Sequence, residues 1–194
     1  SLGKVKKLES KMVKEKPKGK IGIAHTRWAT HGKPSEKNAH PHVSNNRVFI
    51  VHNGIIENYV ALKEQLIKKG YQFISQTDSE LIAHQLDFFL NQGSEMLEAM
   101  SLLKEKLEGA YAVAAIDLKN ESHFYLMRNK SPLLLGQSDS GMFAASDPLA
   151  LADLTNEFIF LEDGDVAEVS AKEYKILDKN QKRAIRKTTT IDVS

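Results

Sequence analysis

Apolar positions recur along the chain with two different spacings, and the spacing separates predicted strands from predicted helices. Short continuous apolar runs favour buried strands, whereas apolar residues three and four positions apart favour amphipathic helices. Strands are predicted roughly at 20–25, 47–51, 71–74, 111–116, 124–127, 133–135, 142–145, 158–161, 165–169, 174–177 and, as a polar last strand, 182–187. Helices are predicted near 5–13, from a cap at Asn58 to Gly70, from Thr77 to Gly93, from Met96 to Gly109, and as a short turn at Pro148.

Two local signals refine these elements. Thr77 and Glu80 match a capping box, in which Thr77 caps the helix and Glu80 reaches back to it. Asp163-Gly164 predicts a tight turn that joins the strands at 158–161 and 165–169 into a hairpin. Clustered helices amid pairs of strands indicate an α+β fold, with helices covering packed sheets.

Composition narrows the class of protein. Of the 194 residues, 41% are hydrophobic and 27% are charged, which suits a soluble globular domain with a real core. The formal net charge of +2 gives no reason to expect nucleic acid as a partner. No apolar run has membrane-spanning length and the start lacks the apolar region of a signal peptide, so we expect a cytoplasmic protein without a membrane partner. The chain contains no cysteine, which excludes disulfides and cysteine-based zinc sites.

Polar side chains that can bind ligands follow the first two predicted strands, in the segments 26–32 and 52–54. Arg27 offers a planar fork of donors suited to a carboxylate, and Asp78, at a predicted helix start, could take an ammonium group. Together they would hold an amino acid by its two charged ends. The alternatives are a surface ion pair for Arg27 and stabilisation of the first helical turn by Asp78.

Asn53 and Gly54 form a second candidate pair. A side-chain amide and an unobstructed backbone N–H are the two donors of an oxyanion hole, which stabilises charge developing on a carbonyl oxygen. The alternative is a tight turn, in which Asn-Gly is the favoured dipeptide. Trp28 is the only tryptophan, and it either packs in the core or covers a ligand.

Histidines are concentrated in the same region, at His25, His31, His40, His42 and His52. The pair flanking Pro41 raises the possibility of metal binding. However, no Asp, Glu or Cys stands at a familiar ligand spacing nearby, so no metal site is predicted.

Longer strings around these positions carry a resemblance to a known family. They are 22–32, 38–42, 52–58 and 77–80, with further matches at 109–111, 131–133, 145–147 and 160–165. With these strings the sequence resembles the glutaminase domains of the glucosamine-6-phosphate synthase family, which are class II glutamine amidotransferases. The similarity spans nearly the whole chain, and we expect residues 1–194 to form a single domain of this type.

The resemblance implies a fold, a ligand and a charged grip on that ligand. The fold is a four-layer α/β/β/α sandwich of the N-terminal-nucleophile hydrolase type, and the ligand is L-glutamine, bound without a cofactor. By position, Arg27 would hold the glutamine carboxylate, Thr30 and His31 would line the same pocket, and Asp78 would hold the α-ammonium group.

The resemblance also assigns the remaining site residues. Asn53 and Gly54 would form the oxyanion hole. Trp28 would lie on a mobile loop that closes over glutamine, and His40 would help to fix that loop.

One departure from the family pattern concerns the nucleophile. The family uses an amino-terminal cysteine, and this chain contains none. Because its beginning resembles a point inside the family's domain, we expect an N-terminally truncated fragment of a larger enzyme. That parent would be a homodimer that passes ammonia from glutamine to fructose 6-phosphate, bound by a C-terminal isomerase domain, and forms glucosamine 6-phosphate.

Three alternatives stay open at this stage: a glutamine-binding module without catalysis, a histidine–metal hydrolase, and the amidotransferase domain of another glutamine-dependent synthetase.

The first prediction concerns activity. The purified 194-residue chain is expected to release no glutamate from L-glutamine, because it has no thiol to attack the side-chain amide. A coupled glutamate assay at several chain concentrations measures this, and glutamate release that rises in proportion to the chain would contradict it.

Overall fold

Two antiparallel sheets packed face to face form the centre of the fold. The computed structural model describes residues 5–27 and 35–192. Its helices are α1 (Val5–Glu15), α2 (Tyr59–Lys68), α3 (Ser79–Asn91) and α4 (Met96–Lys104), with 3-10 helices at Glu36–Asn38 and Pro148–Leu151. Its strands are β1 (His42–Ser44), β2 (Val48–Ile56), β3 (Gly109–Asp117), β4 (Phe124–Asn129), β5 (Leu134–Ser138), β6 (Gly141–Ala145), β7 (Glu157–Phe160), β8 (Val166–Val169), β9 (Tyr174–Leu177), β10 (Arg183–Ala184) and β11 (Thr188–Thr190).

The strands divide between a larger and a smaller sheet. Among the described residues, seven strands form the larger sheet in the order β1-β2-β3-β4-β8-β9-β10, and four form the smaller sheet in the order β11-β7-β5-β6. The long central pair β2–β3 runs in register from Val48 opposite Asp117 to Ile56 opposite Gly109. This pair is the scaffold on which the candidate site is built.

Side chains along β3 point alternately to the two faces of the larger sheet and so contact the layers on both sides of it. Tyr111, Val113 and Ala115 pack into the core that α2, α3 and α4 form on one face of the larger sheet. Ala112, between them, faces the opposite way, into the apolar layer between the two sheets. A strand buried on both faces needs apolar residues throughout, which is why this segment is a continuous apolar run.

The outer face of the smaller sheet carries a small third core. Leu134 and Phe158 pack there against Leu151 of the second 3-10 helix. Asp147 caps this turn by accepting a hydrogen bond from the Leu149 N–H at 2.8 Å, whereas the sequence leaves the cap open between Ser146 and Asp147. In the described residues the fourth layer of the expected sandwich is therefore represented by a 3-10 turn in place of an α-helix.

The predicted N-terminal helix is confirmed as α1, and none of its side chains is buried. None of the helices within residues 5–27 and 35–192 is both long and apolar enough to cross a membrane.

Two predicted strands are wrong. Residues 20–25 and 71–74 join no ladder with any other described segment. In the second case the reason is visible, because the N–H groups of Ile74 and Ser75 donate to the carboxylate of Glu80 at 2.9 and 2.7 Å. A side chain thus accepts hydrogen bonds from backbone N–H groups that would otherwise donate to a neighbouring strand.

The same contacts show that the predicted capping box is wrong. Glu80 is bound to Ile74 and Ser75, so it does not reach back to Thr77, and Asp78 occupies the N-cap position of α3. Although burial acts to raise the pKa of Glu80, hydrogen bonds from His84, Ser75 and the backbone lower it to about 2.

The ends of the neighbouring helices also differ from the prediction. Asn58 is the N-cap residue of α2 but makes no side-chain cap, because its amide bonds to Lys106 O and Glu108 N at 2.8 and 3.1 Å. Helix α4 ends at Lys104, and Gly109 begins β3. The segment between them makes both of these hydrogen bonds with Asn58.

The hairpin predicted at 158–169 is also wrong, although its turn exists. Asp165 N donates to Glu162 O at 3.0 Å, and Gly164 has a φ of 86°. However, β7 pairs with β5 and β11, whereas β8 pairs with β4 and β9. The turn therefore carries the chain from one sheet to the other. Of the last predicted strand, only Arg183–Ala184 pairs with β9.

Asp165 holds this crossing in place, which gives the second prediction. Its fully buried carboxylate binds Arg186 at 2.6 Å, while Glu162, 66% exposed, binds the same guanidinium at 2.9 Å. Asp165→Ala removes the fully buried partner of Arg186 and leaves this guanidinium only the exposed Glu162, so it should lower the free energy of unfolding by about 3 kcal/mol. Glu162→Ala is the matched control and should lower it by less than about 1 kcal/mol. Equal losses in urea denaturation would contradict this account.

Candidate functional site

A cavity of about 330 Å³ opens where the middle of β2, the first turn of α3 and the segment ending at Arg27 meet. Its described lining consists of His25, Thr26, Arg27, His40, His52, Asn53, Gly54, Ile55, Thr77, Asp78 and Ser79. All three of these segments therefore contribute polar side chains to the wall of the cavity.

Strand β2 carries Asn53 and Gly54 into this wall. They lie within the ladder with β3, opposite Ala112 and Tyr111, so the tight turn considered from the sequence is wrong. Gly54 has a φ of 121°, and a Cβ there would collide with the carbonyl oxygen of Ala110. Glycine is thus required by the close approach of two strands, and no side chain covers the backbone at this point.

The edge of β2 beside the cavity is open. Strand β1 pairs with β2 only from Val48 to Ile50, and within the described residues no other strand covers that side from 51 to 56. One of the backbone donors there is satisfied by a side chain, because Ile56 N–H donates to Asp78 at 2.8 Å.

Asp78 stands at the N-cap of α3, and its side chain makes no capping hydrogen bond there. Its contact with Ile56 instead ties the start of the helix to β2. His52 Nδ1 strengthens this tie by bonding to Ser79 Oγ at 2.9 Å. Thr77 Oγ1 bonds instead to His42 Nε2 of β1 at 3.1 Å.

Three histidine rings stack beside Asn53. His25 Nε2 hydrogen-bonds to Asn53 Oδ1. The His25 and His40 ring centroids are 4.1 Å apart, and His42 meets His40 edge-on at 4.8 Å. These contacts link the segment before Arg27 to both β1 and β2.

Burial keeps most of this cluster uncharged. Burial, together with neighbouring histidines, lowers the pKa of His40 to about 2. Burial likewise lowers the pKa values of His42 and His52 to about 4, against the opposing attraction of Glu80 and Asp78, respectively. Several ring nitrogens find no partner within the described residues, namely His25 Nδ1, both nitrogens of His40 and His52 Nε2.

The site residues predicted from the sequence fall into two groups, those that line the cavity and those outside the described residues. Arg27, His40, Asn53, Gly54 and Asp78 all line the one cavity. Trp28, Thr30 and His31 lie outside the described residues. Within residues 5–27 and 35–192, no three His, Cys, Asp or Glu side chains are arranged to hold a metal ion.

Sequence reasoning did not assign roles to His25, His52 and Ser79, which also line the cavity. The sequence before His25 carries only a weak signal, because Ile21 and Ile23 alternate with Gly22 and Ala24. Burial alternates from Ile21 to Arg27, so that His25 shares the inner side of this extended segment with Arg27. His52 and Ser79 are brought together by packing between β2 and α3, which local sequence does not reveal.

Comparison with known proteins identifies the family. Residues 25–153 match the family described as glutamine amidotransferase domain. The chain belongs to this family. The matched range contains every described residue that lines the cavity.

Two curated relatives of this glutamine amidotransferase domain are named glutamine–fructose-6-phosphate aminotransferase (isomerizing). The Vibrio parahaemolyticus protein is 46% identical over 188 residues, which is 97% of this chain and 31% of the relative. The Pectobacterium atrosepticum protein is 44% identical over 194 residues, which is 100% of this chain and 32% of the relative. The chain thus spans less than a third of the length of these relatives.

A solved structure shows the same fold at lower identity. The glutamine phosphoribosylpyrophosphate amidotransferase of B. subtilis superposes with a TM-score of 0.60 at 23% identity, covering 86% of this chain and 34% of that chain. The predicted α+β sandwich fold is confirmed by this likeness.

The third prediction concerns pH. Because the pKa values of His40, His42 and His52 are lowered by folding, the unfolded chain binds more protons below its ordinary histidine pKa of 6.5. The free energy of unfolding should therefore fall as pH decreases from 6.5 towards 4. Each histidine should add the equivalent of about one proton to the slope of this free energy against pH.

Urea denaturation at a series of pH values measures this dependence. His40→Phe removes one titrating ring and should reduce the slope by about one proton. Stability that stays constant over this pH range would contradict the assignment of neutral rings.

Proposed function

We propose that the cavity binds L-glutamine by its charged ends and presents its side-chain carbonyl to two hydrogen-bond donors. The observation that carries this proposal is that Arg27, Asp78, Asn53 and Gly54 line one cavity. An acidic and a basic side chain in one cavity match the two charges of a free amino acid. The adjacent amide and glycine match its neutral carbonyl end.

The ammonium group is assigned to Asp78. Ile56 N–H occupies one carboxylate oxygen, Oδ2, at 2.8 Å and fixes the orientation of the group. A carboxylate accepts several hydrogen bonds, so an ammonium ion can bind alongside this backbone contact. The α-carboxylate is assigned to Arg27, whose planar guanidinium can donate two parallel hydrogen bonds to it.

The carbonyl group is assigned to Asn53 and Gly54. Along an extended strand, N–H groups two residues apart point to the same side. The Ile56 N–H points to Asp78 on the open edge of β2, so we expect the Gly54 N–H to face that edge too. Without a Cβ at Gly54, a ligand oxygen can approach this donor closely.

The remaining site residues complete the proposal. Trp28, Thr30 and His31 are proposed to lie on a loop that closes over glutamine, with Thr30 and His31 lining the pocket. His40 packs between His25 and His42 and is proposed to help to hold the start of this loop.

For the whole protein we propose the activity named for the relatives. Glutamine would be hydrolysed through a γ-glutamyl thioester, and the ammonia would pass to fructose 6-phosphate in an isomerase domain, forming glucosamine 6-phosphate. The proposal includes a cytoplasmic homodimer in which residues 1–194 form one domain. In it, the attacking thiol is not part of these 194 residues, which contain no cysteine.

The fourth prediction tests the charged grip. Calorimetric titration with L-glutamine should give saturable binding, and Asp78→Asn should weaken it by at least about tenfold, because an ion pair is lost. The same substitution should leave binding of glutaramate unchanged, since that analogue lacks the α-ammonium group. Arg27→Ala should conversely weaken glutamine but not the α-amide of glutamine, which lacks the carboxylate.

Asp153→Asn is the matched control, because Asp153 is exposed and does not line the cavity. This variant should bind glutamine with the affinity of the unsubstituted 194-residue chain. Absence of any saturable glutamine binding by the unsubstituted chain would overturn the proposed function.

A further inference from the structure

We infer that His25 is a positioning residue, which orients the Asn53 amide so that its NH2 group points into the cavity. This inference rests on the proposed function, since it explains how one of the two carbonyl donors is presented. It concerns a residue that binds no ligand atom itself and acts only through Asn53.

The first step is the direction of the hydrogen bond. His25 Nε2 contacts Asn53 Oδ1, and a carbonyl oxygen can only accept. With Oδ1 placed against Nε2, the imidazole carries its proton on Nε2 and donates. Its other nitrogen, Nδ1, is buried and has no partner among the described residues, so nothing there competes for this proton.

The second step is the consequence for the amide. The amide oxygen and nitrogen of an Asn side chain lie on opposite sides of its Cβ–Cγ bond. Fixing the oxygen towards His25 therefore turns the nitrogen away from His25. Asn53 Nδ2 has no acceptor within the described part of the chain, and Asn53 lines the cavity. Its two N–H groups are thus left for a ligand.

The third step is what happens without this bond. The two orientations of an amide have almost the same shape, and hydrogen bonds alone distinguish them. With the amide reversed, a carbonyl oxygen would face the ligand carbonyl and repel it. His25 therefore selects the orientation that donates.

The position of His25 is itself fixed. Its ring packs on His40 at 4.1 Å between centroids, and His40 packs in turn on His42 at 4.8 Å. Because burial alternates along 21–27, His25 and Arg27 share one side of the same extended segment. Movement of this segment would disturb the carboxylate grip and the amide donor together.

A spectroscopic experiment tests the tautomer directly. In the full chain labelled with ¹⁵N-histidine, long-range ¹H–¹⁵N correlation should show His25 protonated on Nε2. His25→Phe should shift the side-chain NH2 resonances of Asn53, whereas His123→Phe, a matched change in the β3–β4 connection, should not. Protonation of His25 on Nδ1 would overturn the inference, whether or not glutamine binds.

A binding experiment tests the consequence and gives the fifth prediction. His25→Phe keeps a ring but loses the donor, and should weaken L-glutamine binding about tenfold, the size of one hydrogen bond. Binding of L-norvaline, which has both charged ends but no side-chain amide, should be unchanged. His25→Gln supplies an N–H donor and should recover part of the loss.

The outcomes separate the two proposals. If the unsubstituted chain binds neither compound, the proposed function fails, and the protonation site of the His25 ring still tests the inference about His25. If glutamine binds equally well to the parent chain and to His25→Phe, the positioning role is wrong while the proposed function stands. Equal losses for glutamine and norvaline would show a merely structural role and would also overturn the inference.

Discussion

The site depends on the tie between the first turn of α3 and the open edge of β2. Ile56 N–H donates to Asp78 at 2.8 Å, and His52 bonds to Ser79 at 2.9 Å one residue further along the helix. Both contacts join a strand to a helix start that lies more than twenty residues away in sequence. They set the distance between the carboxylate and the Asn53-Gly54 backbone, on which any ligand that contacts both would depend.

This tie also explains the polarity of the surrounding residues. An apolar junction would leave the Ile56 N–H unsatisfied, and each buried polar side chain beside it needs a hydrogen-bond partner of its own. Thr77, Ser79, His42 and His52 are buried there and bond in pairs. Since the pKa values of the two histidines are lowered to about 4 by burial, they serve as neutral hydrogen-bonding groups at neutral pH.

Much of the fold could be predicted from local pattern, because helices α2 to α4 and strand β3 bury faces whose spacing is visible in the sequence. The errors arose where a contact outside the local pattern decided the structure. Glu80 looked like part of a capping box but binds Ile74 and Ser75, and the Asp163-Gly164 turn feeds two different sheets. For the candidate site, residue chemistry and family resemblance identified Arg27, Asp78, Asn53 and Gly54, which share one cavity. His25 was missed because its importance lies in a contact with Asn53, 28 positions away.

The glycine at position 54 has a consequence for how such a site responds to its surroundings. A main-chain N–H and a neutral carboxamide have no proton to gain or lose in water near neutrality. The wall of the cavity that carries them keeps the same donor character from acidic to alkaline conditions. Because no Cβ fits at Gly54, the main chain at this point stays uncovered even when other side chains of the cavity are exchanged.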